Sequence, residues 1–264
     1  MKKPTVLLLT AGMISATALG QIAADNSENY LGSWGNGDNG GSGFLPWAIS
    51  SGGGDSGFAG VFLGNSSIGA GDINVSGDSF GLFANQDPGA FVNADRGFAT
   101  PLNVGDVFAF DMALNFDNGN KGFNLFAGSQ GEIFNFNVGS GAGVSSQSAT
   151  LNPGPGLGYD YGGNDAVLSF SFSLLSVSEV SYEISRTSEL GFQGVLFSGT
   201  VSGLTDSVTG FRFYNSGTDN GDAQNNLYFN NLSVIPEPGT ALLLVGGLGL
   251  MAWMRRRNHA ISGS

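Results

Sequence analysis

The sequence predicts an all-β protein: an antiparallel β-sandwich or jelly roll, preceded by an N-terminal signal peptide and followed by one C-terminal transmembrane helix. Three observations support this fold class. Apolar and polar residues alternate along the central region, which is the pattern of half-buried strands. Glycine-rich turns separate these segments, with 45 Gly among the 264 residues. No central segment has helical periodicity, and 21 Phe supply core volume.

The alternation is clearest in the segment DVFAFDMALNF. Every second residue from Phe108 to Phe116 is large and apolar, whereas the intervening positions include Asp111 and Asn115. We therefore predict a strand over residues 106–116, with one face in the core. The other predicted strands cover residues 58–63, 79–84, 122–127, 132–138, 167–175, 179–185, 194–201, 207–214 and 226–234.

The folded domain is predicted to span residues 25–234. The turn Asp117-Asn118-Gly119-Asn120 joins two predicted strands and is typical of a hairpin. A break in the pattern at residues 139–163 is either a linker between two domains or a long loop across one sandwich. Each half alone would contain only five or six strands, so we favour a single sandwich.

The central region is acidic. Twenty of the 21 Asp and Glu residues, but only four of the nine Lys and Arg residues, lie between Asp25 and Asp222. Such a surface repels phosphate backbones, so we do not expect nucleic acid as a partner. The absence of Cys excludes disulfides and thiolate chemistry. It does not argue against export, because a chain of this length can bury enough apolar area without disulfides.

The N-terminus has the order of a secretory signal peptide. Lys2 and Lys3 precede an apolar run over residues 6–19, and small residues follow. We assign residues 1–24 to this signal, with cleavage by signal peptidase after Gly20 as the first choice and after Ala24 as the second. An uncleaved N-terminal anchor is the alternative, and the short apolar run argues against it.

The C-terminal segment reads VIPEPGTALLLVGGLGLMAWMRRRN. Residues 239–254 carry no charge and would form a helix roughly 24 Å long, which crosses a bilayer if the bilayer thins locally. By the positive-inside rule, the basic cluster and the tail at residues 258–264 then stay in the cytoplasm. The basic cluster consists of Arg255, Arg256 and Arg257.

A proline-containing triplet precedes the apolar run. The triplet Pro236-Glu237-Pro238, the apolar segment and the arginines occur in an order that resembles the PEP-CTERM sorting signal of exported bacterial proteins, over residues 235–257. This resemblance implies a partner enzyme, a membrane-bound exosortase that recognises the triplet and cuts near it. It also implies transient anchoring in the inner membrane and delivery to the cell surface or extracellular matrix. It does not concern the central domain.

Catalytic residue types are scarce. The only His, His259, follows the apolar segment, so the exported part can form no Ser-His pair or His-ligated metal site. Glu179 and Glu183 share one predicted strand face with Cα atoms about 13 Å apart, beyond the roughly 5–9.5 Å carboxyl separations of glycosidases. We interpret these residues and Glu132 as solvated charges and predict no catalytic residues. A carboxylate-based glycoside hydrolase is the alternative.

We predict no cofactor, with a calcium ion as the alternative. Its ligands are carboxylate, amide and carbonyl oxygens, which are abundant in the turns at residues 35–40, 117–120 and 218–222. Asp219 and Asp222 are the first choice of ligands. None of the three turns matches a known calcium-loop pattern, so ordinary turns are the alternative.

Two tryptophans are the candidate ligand-binding residues. Trp34 and Trp47 flank the run GNGDNGGSGF, and indole rings held in loops can present flat faces to sugars. The alternative is that both rings close one end of the sandwich. We therefore expect a non-catalytic surface or matrix protein that binds polysaccharide, with a glycoside hydrolase or a purely structural protein as alternatives.

Overall fold

The computed structural model confirms the predicted all-β sandwich. It describes residues 21–53, 58–85, 89–139, 148–152, 159–160, 165–187, 193–218 and 221–236. Within these ranges there are fifteen strands and four short 3-10 helices, at Ser27–Asn29, Ser66–Ile68, Gly128–Gln130 and Ala223–Asn225. The strands are β1 (Ala23–Asp25), β2 (Ala48–Gly52), β3 (Phe58–Gly64), β4 (Ser79–Asn85), β5 (Phe91–Gly97), β6 (Asp106–Leu114), β7 (Asn120–Ala127), β8 (Gly131–Val138), β9 (Ser148–Asn152), β10 (Tyr159–Asp160), β11 (Ala166–Ser176), β12 (Glu179–Arg186), β13 (Gly194–Ser202), β14 (Val208–Ser216) and β15 (Leu227–Pro236).

The strands form two sheets in which neighbouring strands are antiparallel. One sheet has eight strands in the order β13-β12-β11-β6-β15-β4-β3, with β1 paired to the C-terminal half of β15. The other has seven strands in the order β10-β9-β8-β7-β14-β5-β2. Strands from before and after residues 139–163 are interleaved in both sheets, since β11 and β15 flank β6 and β14 lies between β5 and β7. The predicted linker or loop at residues 139–163 itself contains β9 and β10, which extend the seven-stranded sheet. The two halves of the chain therefore build one sandwich.

The inward faces are aromatic, as the alternation indicates. Phe108, Phe110 and Met112 of β6 are buried, and so are Phe211 and Phe213 of β14 in the opposite sheet. The rings of Phe108 and Phe211 stack across the interior with centroids 4.8 Å apart. Burial of such side chains is the main contribution to folding, at about 1.5–3 kcal/mol for each large apolar residue.

A buried ion pair connects the two sheets. Asp25 lies in β1 of the eight-stranded sheet and Arg96 in β5 of the seven-stranded sheet, and Arg96 Nη1 donates to Asp25 Oδ2 with both side chains fully buried. The remaining guanidinium donors bind the segment between β1 and β2. Arg96 Nε donates to the Leu45 carbonyl at 2.8 Å, and Nη2 donates to the Gly40 carbonyl at 2.9 Å and to Asn39 Oδ1 at 3.0 Å.

Aromatic side chains surround this pair. Tyr30 donates its hydroxyl to Asp25 Oδ2 at 2.7 Å and accepts from Trp47 Nε1 at 2.8 Å. The guanidinium carbon of Arg96 lies 4.7 Å from the Trp47 ring centroid and 4.8 Å from that of Phe44. Burial and the hydrogen bond to Asp25 raise the pKa of Tyr30, so its hydroxyl remains a donor over the physiological pH range. The buried charges of Asp25 and Arg96 thus have hydrogen-bonding and aromatic partners within the protein.

We predict that Asp25→Asn lowers the free energy of unfolding by about 3–5 kcal/mol, because it leaves the Arg96 charge buried without its counterion. Arg212→Met is the matched control. Arg212 pairs with Asp95 at 2.8 Å, but these side chains are 36% and 31% exposed, so its loss should cost about 1 kcal/mol or less. Chemical denaturation of the purified variants measures both values, and equal losses would contradict a special role for the buried pair.

Candidate functional site

The structure corrects the prediction that Trp34 and Trp47 bind a ligand. Trp34 is 5% exposed and Trp47 is 1% exposed, and their rings pack edge to face with centroids 5.0 Å apart. Trp34 Nε1 donates to the Phe62 carbonyl at 2.7 Å, and Trp47 Nε1 donates to the Tyr30 hydroxyl. Both indoles therefore have internal partners in the core, and neither ring offers a face to a sugar.

The structure describes two of the three candidate calcium turns completely, at residues 35–40 and 117–120. Asp219 lies outside the described residues, so the proposed ligand pair with Asp222 stays a prediction. In the turn at residues 35–40, Asp38 Oδ2 accepts from the Gly35 amide at 2.8 Å and Asn36 Oδ1 accepts from the Ile49 amide at 2.9 Å. No group of three or more His, Cys, Asp or Glu side chains in the described part of the chain could hold a metal ion.

The third candidate turn, at residues 117–120, is followed by a buried lysine, Lys121. Its Nζ donates at 2.8 Å to the carbonyl oxygens of Phe116 and Asn225, which bridges this turn to the segment before β15. Burial lowers the pKa of Lys121 to about 7, although the nearby Asp117 carboxylate works in the opposite direction.

The acidic side chains of β12 contact serine hydroxyls. Glu179 Oε1 accepts from the Ser202 hydroxyl at 3.4 Å, and Glu183 Oε1 accepts from the Ser185 hydroxyl at 3.1 Å. Both lie on the outward face of the eight-stranded sheet, among serines of neighbouring strands. This position agrees with the interpretation of both residues as strand-face charges.

The strongest candidate site is the outward face of the seven-stranded sheet, which sequence analysis did not single out. The register aligns polar side chains from six strands across this face. We call it the polar face and define it by Asp95, Asn124, Glu132, Asn135, Arg212 and Tyr214. One cross-strand row contains Asn152, Asn135, Asn124, Arg212 and Asp95, and the next contains Thr150, Asn137, Gly122, Tyr214, Asn93 and Ser50.

Hydrogen bonds between strands fix the orientation of these side chains. Asn124 Nδ2 donates to Glu132 Oε2 at 2.6 Å. Asn135 Nδ2 donates to the Tyr214 hydroxyl at 3.3 Å, and that hydroxyl donates to Asn137 Oδ1 at 2.9 Å. Donors and acceptors on a rigid sheet lose little conformational entropy on binding, which favours recognition of a polar ligand.

The electrostatics of the polar face keep it close to neutral. Arg212 Nε donates to Asp95 Oδ1 at 2.8 Å. Partial burial raises the pKa of Glu132, and the Arg212 charge offsets part of that rise. Burial also raises the pKa of Tyr214, so its hydroxyl stays protonated and available for hydrogen bonds at neutral pH.

A shallow depression of about 310 Å³ adjoins this network. Its floor is the facing pair Gly97 and Gly210, and Phe126 and Leu45 form apolar walls. A Cβ on Gly210 would lie 2.8 Å from the Arg96 carbonyl oxygen, so the strands approach too closely here for a side chain. The Arg212 guanidinium carbon lies 5.5 Å from the Phe126 ring centroid. The depression therefore combines an aromatic wall with charged hydrogen-bonding groups.

The carboxylates of the polar face do not have the spacing of a glycosidase pair. Glu132 lies on β8 and Asp95 on β5, three strand positions apart in the sheet. At about 4.8 Å between strands, their backbones are separated by about 14 Å or more. Glycosidase carboxyl groups lie roughly 5–9.5 Å apart. The backbones of Asp95 and Glu132 are therefore farther apart than the carboxyl groups of such a pair.

Comparison with known proteins identifies the C-terminal segment. Residues 234–258 match the family model of the PEP-CTERM protein-sorting motif, which confirms the resemblance noted in the sequence. This motif is a recognition signal for exosortase, so it supports an exported protein destined for the cell surface or matrix. The match covers only this segment and assigns no family to the central domain. A search of curated proteins found no match.

Several solved structures are similar to this chain. They include endo-β-1,4-glucuronan lyase from the fungus Trichoderma reesei, with 10% identity, a TM-score of 0.43 and coverage of 79% of this chain and 95% of that one. The catalytic domain of β-agarase D from Zobellia galactanivorans has 11% identity, a TM-score of 0.38 and coverage of 81% and 90%. The CBM2 module of evolved Dit from Lactobacillus casei BL23 phage J-1 has 15% identity, a TM-score of 0.37 and coverage of 55% and 70%. At these values the similarities carry no argument about ligand or activity.

Most of the sorting segment lies outside the described residues. Pro236 is the last residue of β15, whereas Glu237, Pro238, the predicted helix at residues 239–254 and the arginine cluster are not described. The same holds for the predicted signal peptide up to residue 20. In the described ranges no helix is long and apolar enough to span a membrane.

We predict that Lys121 makes stability depend on pH. In the unfolded chain its pKa is about 10.4, whereas burial lowers the folded value to about 7. Between these values the unfolded chain binds more protons, so the free energy of unfolding should rise with pH, by at most about 1.4 kcal/mol per pH unit.

Denaturation from pH 7 to pH 9 measures this effect, with Lys121→Met as the reference that lacks the titrating group. The difference in unfolding free energy between the native protein and this variant should grow in favour of the native protein as pH rises. Parallel pH profiles for the two proteins would show that Lys121 is not the titrating group.

Proposed function

We propose that the protein is an exported surface or matrix component that binds a neutral polysaccharide through its polar face, without cleaving it. The observation that carries this proposal is two cross-strand hydrogen-bonded pairs, Asn124 with Glu132 and Asn135 with Tyr214, on the same sheet face as the depression at Gly97 and Gly210. Amide, carboxylate and hydroxyl groups are the natural partners of sugar hydroxyls. Phe126 supplies an apolar wall for the C–H face of a sugar ring.

The charge distribution favours a neutral ligand. The chain has a formal net charge of −12, which repels strongly acidic polymers. Arg212 is the only cation of the polar face, and Asp95 already neutralises it. Two adjacent rows of polar side chains across the sheet suit an extended chain of sugar units better than a single small molecule.

Polysaccharide binding can be tested with Tyr214→Phe and with the double variant Asn135→Ala/Arg212→Ala. A hydrogen bond to a charged group is worth about 1.5–3 kcal/mol, so the double variant should bind about tenfold more weakly or worse. Affinity electrophoresis against a panel of neutral polysaccharides provides the measurement. Tyr214→Phe should weaken binding by a smaller factor, because it removes one hydroxyl only.

Glu183→Gln is the matched control for this experiment, because it changes an exposed carboxylate on the outward face of the other sheet. It should bind like the native protein. Equal binding by native protein and both polar-face variants would refute the proposed site. Binding to no polysaccharide would indicate a purely structural role, and release of reducing sugar would indicate a hydrolase.

The proposed export also includes one cleavage at each end of the chain. Signal peptidase cleavage after Gly20 is compatible with the fold, because the Ile22 amide donates to the Val234 carbonyl at 2.8 Å and β1 begins at Ala23. Cleavage after Ala24 would remove most of β1. At the other end, the transient anchor at residues 239–254 holds the protein in the inner membrane until exosortase cuts near the triplet.

The proposed pathway predicts the termini of the delivered product. Mass spectrometry of surface protein should show an N-terminus at Gln21 and the absence of Arg255, Arg256 and Arg257. Glu237→Ala should leave the protein in the membrane fraction with its C-terminus intact, whereas Glu179→Ala should be delivered normally. Normal surface delivery of Glu237→Ala would contradict the role of the triplet.

A further inference from the structure

Exposed apolar side chains gather at one end of the sandwich. Eleven large apolar side chains are exposed in the described part of the chain, and five of them lie at this end. Their exposed fractions run from 42% to 81%. We call these five residues the apolar rim: Ile22, Val104, Leu175, Val177 and Ile235.

Backbone contacts place the rim residues next to one another. Ile22 precedes β1 and its amide donates to β15, whereas Ile235 lies in β15 and pairs with Val107. Val104 precedes β6, and the amide of its neighbour Gly105 donates to the Leu174 carbonyl at 2.9 Å. Leu175 and Val177 end β11 and begin the turn to β12. All five therefore surround the point where β15 leaves the sandwich.

The length of the following chain brings this end of the sandwich to the membrane. Pro236 is the last residue of β15, and the uncharged run begins at Gly239. Three residue steps separate them, which is at most about 11 Å of extended chain. The headgroup layer on each side of the hydrocarbon core is roughly 5–7 Å thick. While the C-terminal segment is in the bilayer, the rim must lie close to the lipid headgroups.

We infer that the apolar rim is a membrane-contacting surface, which inserts into the headgroup region of the bilayer that holds the C-terminal segment. This inference rests on the proposed transient anchoring. Of the four Lys and Arg residues that the structure describes, Arg96, Lys121 and Arg186 are buried and Arg212 lies on the polar face of the other sheet, so none is exposed at the rim. Contact with lipid is therefore apolar, and it does not depend on anionic headgroups.

The rim has a consequence for sorting. A tether alone would let the sandwich rotate freely above the bilayer. Apolar contacts around β15 fix this end of the domain against the lipid, which keeps Pro236 and the triplet at the depth where a membrane enzyme works. Once the C-terminal segment is removed, five partly exposed side chains are too few for stable membrane binding, so the product is free to leave.

The test uses the absence of Cys in the native chain, which makes each introduced cysteine a unique labelling site. Val177→Cys and Val104→Cys place a fluorescent label on the rim. Phe58→Cys is the matched control, because Phe58 is also an exposed apolar residue but pairs with Asn85 at the opposite end of the sandwich. The full chain is purified from membranes and reconstituted into phosphatidylcholine vesicles, with or without added anionic lipid.

Quenchers attached to the lipid should reduce the fluorescence of the two rim labels several-fold more than that of the Phe58→Cys label. This difference should persist in vesicles without anionic lipid. Equal quenching of all three labels in a chain that still co-sediments with vesicles would overturn the rim and leave the anchor intact. A chain that fails to co-sediment at all would overturn the anchor and the rim together. Loss of the rim signal without anionic lipid would overturn the apolar mode of contact.

Discussion

The ion pair between Asp25 and Arg96 determines how the first part of the chain joins the sandwich. Its two side chains come from different sheets, and the free donors of Arg96 bind the carbonyls of Gly40 and Leu45. A charge buried to this extent is tolerated only when its donors and acceptors are satisfied. Residues 26–47 must therefore fold over the pair, and four aromatic side chains of this segment join the core: Tyr30, Trp34, Phe44 and Trp47.

This constraint explains why the two tryptophans are buried. The run GNGDNGGSGF has the composition of a solvated loop, which is why exposed rings are expected for Trp34 and Trp47. In the structure its glycines permit close packing: Gly41 has a φ of +72°, and a Cβ there would lie 2.2 Å from the Ala24 carbonyl oxygen. The composition of a segment shows that it is rich in glycine, but it does not show which atoms pack against the glycine backbone.

Sequence patterns predicted the long strands well and the short or polar ones poorly. Most predicted strands, including residues 106–116, coincide with observed strands, because their inward residues are consistently apolar. β5 was missed because one of its three inward positions is Arg96, which breaks the apolar alternation. β2 was missed because Ile49 is the only large apolar residue among its five. The polar face could not be predicted either, since each Asn reads as an ordinary outward residue until the register aligns it with others across the sheet.

β15 is the strand that runs into the sorting motif. β15 is bonded to β6 on one side and to β4 and β1 on the other, so the last strand of the domain is internal to its sheet. Pro236 pairs with Asp106, which keeps the chain ordered up to the first residue of the sorting triplet. A cut beyond this residue leaves every strand pairing of the sandwich in place. Such a cut would separate the sandwich from the rest of the sorting motif, and the polar face, which belongs to the other sheet, would keep its structure.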